Sequence, residues 1–233
     1  MKAIILAGGQ GLRLRPLTND KPKAMVSING KPIAEIQLNW LIKNIKLDQI
    51  IFSCGHKGEI LENHFEHEYQ GVPINYVIEE EPLGTGGAVR NTILDLDKDE
   101  DILIMNGDII TNMNLSNMIE WHSFTQTMVT MLVVPYRSPF GVVHVDKLRN
   151  IRKFEEKPEF KDVWINGGVY LVQAKRLKKF LPERGDIERE TFPRLVDYGE
   201  ISAFPYYGFW RVVDSIKDLK EVEKEIIEIE STL

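Results

Sequence analysis

Lys2-Ala3-Ile4-Ile5-Leu6-Ala7-Gly8-Gly9-Gln10-Gly11-Leu12-Arg13-Leu14-Arg15-Pro16-Leu17-Thr18 is the stretch from which the rest of the chain is read. Residues 3–7 form an apolar run too brief for a signal peptide or a membrane span, so they read as a buried strand. The glycines that follow permit positive φ and let backbone N–H groups come close to an anion. A loop at the carboxyl end of a strand is also where α/β sheets bind their ligands. A glycine pair alone makes only a tight turn; the cations beside it point to phosphate. Arg13 can fork onto phosphate oxygens, and Lys23, in Lys21-Pro22-Lys23-Ala24-Met25, adds a point charge.

Outward from this loop, residues 49–53, 74–78 and 102–105 are further apolar runs that read as buried parallel strands. Between them, residues 32–45, 58–65 and 85–96 read as helices. The βαβα order predicts an α/β, Rossmann-like fold: a mixed, mostly parallel central sheet with helices on both faces. Residues 128–135, 141–145 and 163–172 read as antiparallel additions to that sheet, and residues 215–233 as a closing amphipathic helix. With 233 residues, 43% of them hydrophobic, the chain can bury one sizeable core, so residues 1–233 are expected to be a single domain. No hexapeptide repeat of a β-helix domain is present.

Composition narrows the partners. A formal net charge of −6 argues against a nucleic acid. Cys54 is the only cysteine, which excludes an internal disulfide and a cysteine-pair zinc site and fits a reducing, cytoplasmic setting. No membrane partner is indicated, and a homo-oligomer is left open. Neither of two familiar phosphate loops matches: no Gly-Lys-Ser/Thr follows the glycines, and Leu14 stands where a dinucleotide fold needs its third glycine. The five histidines have no metal spacing, and His64 and His67 read as lying on an exposed helix face.

The run from Gly8 to Met25 closely resembles the signature loop of the sugar-phosphate nucleotidyltransferases, the GT-A-like pyrophosphorylases. Further landmarks follow in that family's order: Gly30-Lys31-Pro32, Glu80-Glu81-Pro82-Leu83-Gly84-Thr85-Gly86-Gly87-Ala88, Asn106-Gly107-Asp108, Phe154-Glu155-Glu156-Lys157-Pro158 and Ile165-Asn166-Gly167-Gly168-Val169-Tyr170. Leu12, where the family usually has Thr or Ser, and Ala24, where a second proline is common, depart from the pattern without removing a charge.

The resemblance implies joining of a nucleoside triphosphate to a sugar 1-phosphate, with Mg²⁺ as cofactor and release of pyrophosphate. It implies catalytic roles for Arg13, Lys23 and Asp108. Nucleotide contacts are implied for Leu6, Ala7, Gly8, Gly9, Gly11, Arg13, Lys23, Glu79, Glu80, Pro82, Gly84 and Thr85. Sugar-phosphate contacts are implied for Gly107, Gly141, Glu156, Lys157, Asn166 and Gly168. Asp108 and Asp214 are the implied metal ligands, although an aspartate before Ser215 equally suits a helix cap. Glu156 and Lys157 read as lying on or just after a strand, and the Gly167-Gly168 pair as a bulge or a close approach to ligand.

The glutamate-rich segment resembles the mannose-1-phosphate and heptose-1-phosphate guanylyltransferases more than the thymidylyl or uridylyl branches. A carboxylate from Glu79 or Glu80 also suits guanine, whose N1–H and N2–H₂ are adjacent donors. GTP and mannose 1-phosphate are therefore the expected pair. Glucose or manno-heptose 1-phosphate, a regulatory homologue that binds without turnover, and a Rossmann oxidoreductase remain as alternatives.

Overall fold

The computed structural model describes residues 1–94, 96 and 100–229. Strand β1 (Lys2–Ala7) leads through the glycine loop, tightened by 3₁₀ turns at Leu12–Leu14 and Lys23–Met25, to a ribbon of β2 (Ser27–Ile28) and β3 (Lys31–Pro32). Helix α1 (Ile33–Asn44), strand β4 (Gln49–Cys54), helix α2 (Gly58–Phe65), strands β5 (Glu68–Tyr69) and β6 (Val72–Ile78), helix α3 (Gly84–Ile93) and strand β7 (Asp101–Asn106) continue the alternation. Next come β8 (Ile109–Thr111), α4 (Leu115–Thr125), β9 (Val129–Arg137), β10 (Val142–Val145), β11 (Ile151–Glu155) and the long β12 (Glu159–Gln173). Then follow α5 (Ala174–Leu177), a π-helical turn at Ile187–Thr191, α6 (Phe192–Asp197), β13 (Ile201–Pro205), β14 (Trp210–Val212) and α7 (Ile216–Ile229).

Among the described residues, eight strands form one sheet in the order β13-β9-β12-β7-β1-β4-β6-β5. β1 is parallel to β4 and β7, and β6 to β4, while β12 runs antiparallel to both β7 and β9. Ile4, Ile5, Ile50, Phe52, Leu103 and Ile104 are fully buried, which is why these central strands read as unbroken apolar runs. Trp40 and Leu41 of α1, Phe65 of α2 and Met118 of α4 pack in one core cluster. Val89 and Ile93 of α3, Leu177 of α5 and Leu195 of α6 pack in another, so helices cover both sheet faces. No helix among the described residues is long and apolar enough to cross a membrane.

A third cluster joins Leu219, Val222 and Ile226 of α7 to Ile110, Val213 and the buried Leu14. The closing helix thereby anchors the glycine loop from below, because Leu14 is the loop's one fully buried apolar side chain. The expected helix over 215–233 is observed as Ile216–Ile229, and residues 230–233 of that expectation lie outside the described residues. The helix expected over 85–96 begins one residue earlier, at Gly84, and is observed to Ile93; Asp95 of that expectation lies outside the described residues.

Two expectations need correction. Residues 141–145 do not extend the central sheet: β10 pairs antiparallel with β11 in a separate two-stranded ribbon. The local turn decides this, since Asp146 Oδ1 accepts from the Leu148 and Asn150 N–H groups and folds the segment back on itself. His67 lies past the end of α2 rather than on it; His64 and His67 are both exposed and pack edge-on against Phe65 and Tyr76.

Candidate active site

The register of the parallel strands levels their carboxyl ends, with Ala7 opposite Cys54 and Leu6 opposite Asn106. The loops after β1, β4, β6 and β7 therefore meet on one rim. They are fastened there: the Gly107 N–H donates to Leu6 O at 2.9 Å, and the Glu79 N–H to Cys54 O at 2.8 Å. Gly55 is required because a Cβ there would stand 2.8 Å from Gly8 O. The rim encloses a cavity of about 590 Å³ lined by the glycine loop, the start of α3, Asn106-Gly107-Asp108, Asp186 and Asp214.

On its wall is Lys23, whose ammonium lies 2.6 Å from Asp108 Oδ2 and 2.8 Å from Asp214 Oδ1. Arg13 forms an ion pair with the other oxygen of Asp214. The Lys23 side chain is 13% exposed, whereas that of Arg13 is 75% exposed and reaches into the open part of the cavity. Lys23 is fixed by its 3₁₀ turn, whose next two residues, Ala24 and Met25, are buried in the core.

A short antiparallel pairing brings the two aspartates together across the sequence. β8 pairs with β14, Ile109 opposite Val212, and the Val213 N–H donates to Asp108 O at 2.9 Å. Asp108 just before one strand and Asp214 just after the other are thus held side by side. The helix-cap alternative for Asp214 is answered by its neighbours. Ser215 Oγ accepts from the Asp218 N–H at 3.2 Å, as an N-cap side chain does, and donates to Asp218 Oδ2 at 2.8 Å. With Ser215 capping α7, the Asp214 carboxylate faces Lys23.

The opposite wall is built on α3. Glu79 Oε2 accepts from the Leu83 N–H at 3.1 Å, and burial pushes the Glu79 carboxyl above its ordinary pKa, partly offset by that bond. Thr85 donates to Glu188 Oε2 at 2.6 Å and accepts from the Ile187 N–H at 3.0 Å. Gly86 N–H donates to Gly185 O at 2.9 Å, so the glycines of this motif serve backbone packing.

Of the residues expected from sequence, the structure gathers Leu6, Ala7, Gly8, Gly9, Gly11, Arg13, Lys23, Glu79, Pro82, Gly84, Thr85, Gly107, Asp108 and Asp214 on this cavity. Six lie outside its lining. Glu80 is exposed on the loop before α3. Gly141 and Glu156 adjoin each other at the base of the β10–β11 ribbon, a Cβ on Gly141 lying 3.0 Å from Glu156 Oε2, and Lys157 follows with φ 46°. Asn166 accepts from the Gly168 N–H at 2.9 Å and from the Tyr170 hydroxyl at 3.0 Å. Here the β12–β9 register shifts, so the glycine pair is a bulge. Gly168 touches the cavity indirectly, through the side chain of Asn106.

Sequence reading did not single out Ser53, Asn106 or Asp186, all of which line the cavity. Asn106 stood inside a motif already quoted. Asp186 sits in the charged run 184–190, which carries no signal distinguishing it from a solvated surface. Cys54 is buried, its thiol pushed up to about 12 by burial and the nearby Glu62, Glu79 and Glu59, so it offers no nucleophile.

The family model described as nucleotidyl transferase matches residues 2–229. The chain belongs to the nucleotidyl transferase family. A D-glycero-alpha-D-manno-heptose 1-phosphate guanylyltransferase from Aneurinibacillus thermoaerophilus is 35% identical to this transferase over 97% of the chain and 100% of that relative. A mannose-1-phosphate guanyltransferase from Pichia angusta is also 35% identical, over 94% of the chain but only 62% of its own length. Among solved structures, HddC from Yersinia pseudotuberculosis shares the transferase fold with a TM-score of 0.75 at 24% identity, covering 97% of this chain and 99% of that one.

Proposed function

We propose that this enzyme transfers a guanylyl group from GTP to a sugar 1-phosphate of the manno series, forming a nucleoside-diphosphate sugar and releasing pyrophosphate. The observation that carries the reading is the single ammonium of Lys23 between Asp108 and Asp214, with Arg13 beside them, at the mouth of a glycine loop. Two guanylyltransferases at 35% identity support the choice of base.

A sugar-phosphate oxygen attacks the α-phosphorus of the triphosphate; the new P–O bond forms as the bond to the bridging oxygen breaks, and pyrophosphate leaves with its charge. Glycine-loop N–H groups and Arg13 hold the triphosphate, and Lys23 offsets charge developing at the α-phosphate. Positioning and electrostatics carry such a transfer without a covalent protein intermediate. Asp108 and Asp214 supply hard oxygen donors around a position that already accepts a cation, which fits Mg²⁺, an ion bound through one or two carboxylates together with substrate phosphates. When bound it would supply Lewis-acid polarisation of the reacting phosphates. Glu79 reads guanine in preference to Glu80, since only Glu79 faces the cavity. Gly107 adjoins the sugar phosphate, and Gly168, Asn166, Gly141, Glu156 and Lys157 supply the remaining sugar-side contacts. The setting is cytoplasmic.

Mannose 1-phosphate is the first substrate. Manno-heptose 1-phosphate is the second reading, favoured by the heptose relative being matched over its whole length. The test is pyrophosphate release with Mg²⁺, crossing GTP, UTP, dTTP, CTP and ATP with mannose, glucose and heptose 1-phosphates. Release that requires GTP and one manno-configured phosphate is expected; release with UTP or dTTP and glucose 1-phosphate overturns the base and sugar, and no release with any pair overturns the activity.

A further inference from the structure

Four acidic side chains line the cavity among the described residues: Glu79, Asp108, Asp186 and Asp214. Asp108 and Asp214 are engaged by Lys23, and Glu79 by the Leu83 N–H. Asp186 has no such engagement. It precedes the π-helical turn, where an aspartate normally turns its carboxylate back to cap the free N–H groups. Here the side chain makes no cap bond; the Arg189 and Glu190 N–H groups donate instead to the Asp186 backbone carbonyl, at 3.2 and 3.0 Å. Its one ion-pair neighbour among the described residues is Arg189, whose Nε stands 3.6 Å from Oδ2 and whose side chain is 85% exposed.

The backbone that carries Asp186 is held in place all the same. Gly185, immediately before it, donates to Leu83 O at 2.8 Å and accepts from Gly86, while Ile187, immediately after it, donates to Thr85. The loop carrying Asp186 is therefore laced to the start of α3, the wall that also carries Glu79. Asp186 stands against the bare backbone of Gly84, with φ +75°: a Cβ there would meet Gly185 O at 2.5 Å and Asp186 Oδ1 at 3.2 Å. Glu79 bonds the N–H of Leu83, the residue before Gly84, so both carboxylates line the cavity beside the start of α3. A base held at this end of the cavity has both carboxylates available as acceptors.

We propose that Asp186 is a specificity-determining residue that accepts the second N–H of the guanine 2-amino group, the first being taken with N1–H by Glu79. The assignment rests on the guanylyl reading above. Guanine offers three N–H donors along one edge, more than one carboxylate can accept in its plane, and a hydrogen-bonding site rejects an analogue that lacks the donor. Uracil and thymine offer one donor between two acceptors, which a pair of carboxylates repels.

The test compares kcat/KM for GTP, ITP and 2′-deoxy-GTP in the wild type, Asp186→Ala and Asp186→Asn, with the sugar phosphate fixed. ITP keeps N1–H and lacks only the 2-amino group. The wild type is expected to favour GTP over ITP by about tenfold or more, the usual scale of a charge-assisted hydrogen bond. In Asp186→Ala that ratio should fall several-fold through loss on GTP alone, with the GTP to 2′-deoxy-GTP ratio unchanged. Asp186→Asn, which keeps the shape and one acceptor, should fall between and guards against a folding defect in the alanine variant. A GTP to ITP ratio unchanged by both substitutions overturns the assignment, as does a change confined to the 2′-deoxy-GTP ratio, which would make the partner a ribose hydroxyl. A wild type that prefers a pyrimidine triphosphate overturns the guanylyl reading itself and is seen before any variant is compared.

Discussion

Removing the Lys23 ammonium leaves the Asp108 and Asp214 carboxylates facing each other, with the mostly exposed Arg13 the only cation among the described residues paired to either. Lys23→Met keeps much of the side-chain length and none of the charge. Turnover of that variant is expected to fall by about 10²-fold or more, the loss typical of deleting one preorganised donor from a site where charge develops. Because the two carboxylates then repel, they should also bind a divalent cation more readily, so raising Mg²⁺ should recover part of the loss. A variant with turnover within about threefold of wild type at every Mg²⁺ concentration would remove Lys23 from the chemistry. At this scale much of the site was legible, since Arg13, Lys23 and Asp108 stand beside glycines and prolines in patterns that demand explanation. Asp214 was ambiguous because Asp and Ser compete for one cap, and only the Ser215–Asp218 pair resolves it. Asp186 was invisible: nothing local separates it from the charges around it.

Two glycines with similar backbones separate intrinsic strain from crowding between elements. Gly30, in the β2–β3 turn, has φ +86° and no atom within 4 Å of a built Cβ; Gly84, opening α3, has φ +75° and the Gly185 carbonyl at 2.5 Å. Gly30→Ala should therefore lose only the left-handed strain, about 1–2 kcal/mol of unfolding free energy. Gly84→Ala adds a backbone clash that cannot relax without parting α3 from the loop before the π-helical turn, and should be clearly the more destabilising in chemical denaturation. Equal losses would mean that the 182–186 loop yields freely and does not brace the start of α3. Periodicity revealed the elements themselves, because an apolar run buried on both faces looks the same wherever it lies in the sequence. It did not reveal partners: β10 alternates as a strand should, yet its apolar Val143 and Val145 remain exposed and it pairs with β11 alone. A π-helical turn has no sequence period to betray it.

His122 ties the stability of the molecule to pH. It is 3% exposed on α4, and its Nδ1 lies 2.7 Å from Thr130 Oγ1 on β9, which in turn lies 3.0 Å from Ser202 Oγ on β13. Its other ring nitrogen is 3.7 Å from Asp101 Oδ1 at the start of β7 and has no hydrogen-bond partner among the described residues. Burial lowers the His122 pKa below its ordinary 6.5, and the neighbouring Asp101 only partly opposes the shift. The folded chain thus binds this proton less well than the unfolded one. The stability His122 contributes is present above pH 6.5 and is lost as pH falls from there toward the lowered native value, at no more than about 1.4 kcal/mol per pH unit for one proton. Glu79 acts in the opposite sense, because a carboxyl whose pKa is raised in the folded state holds its proton better there. Unfolding free energies measured between pH 7.5 and 5 should decline for the wild type and decline less for His122→Gln, which keeps a polar group beside Thr130 without titrating. Parallel curves for the two proteins would mean that His122 is protonated as readily inside the fold as outside it, with Asp101 compensating fully for burial.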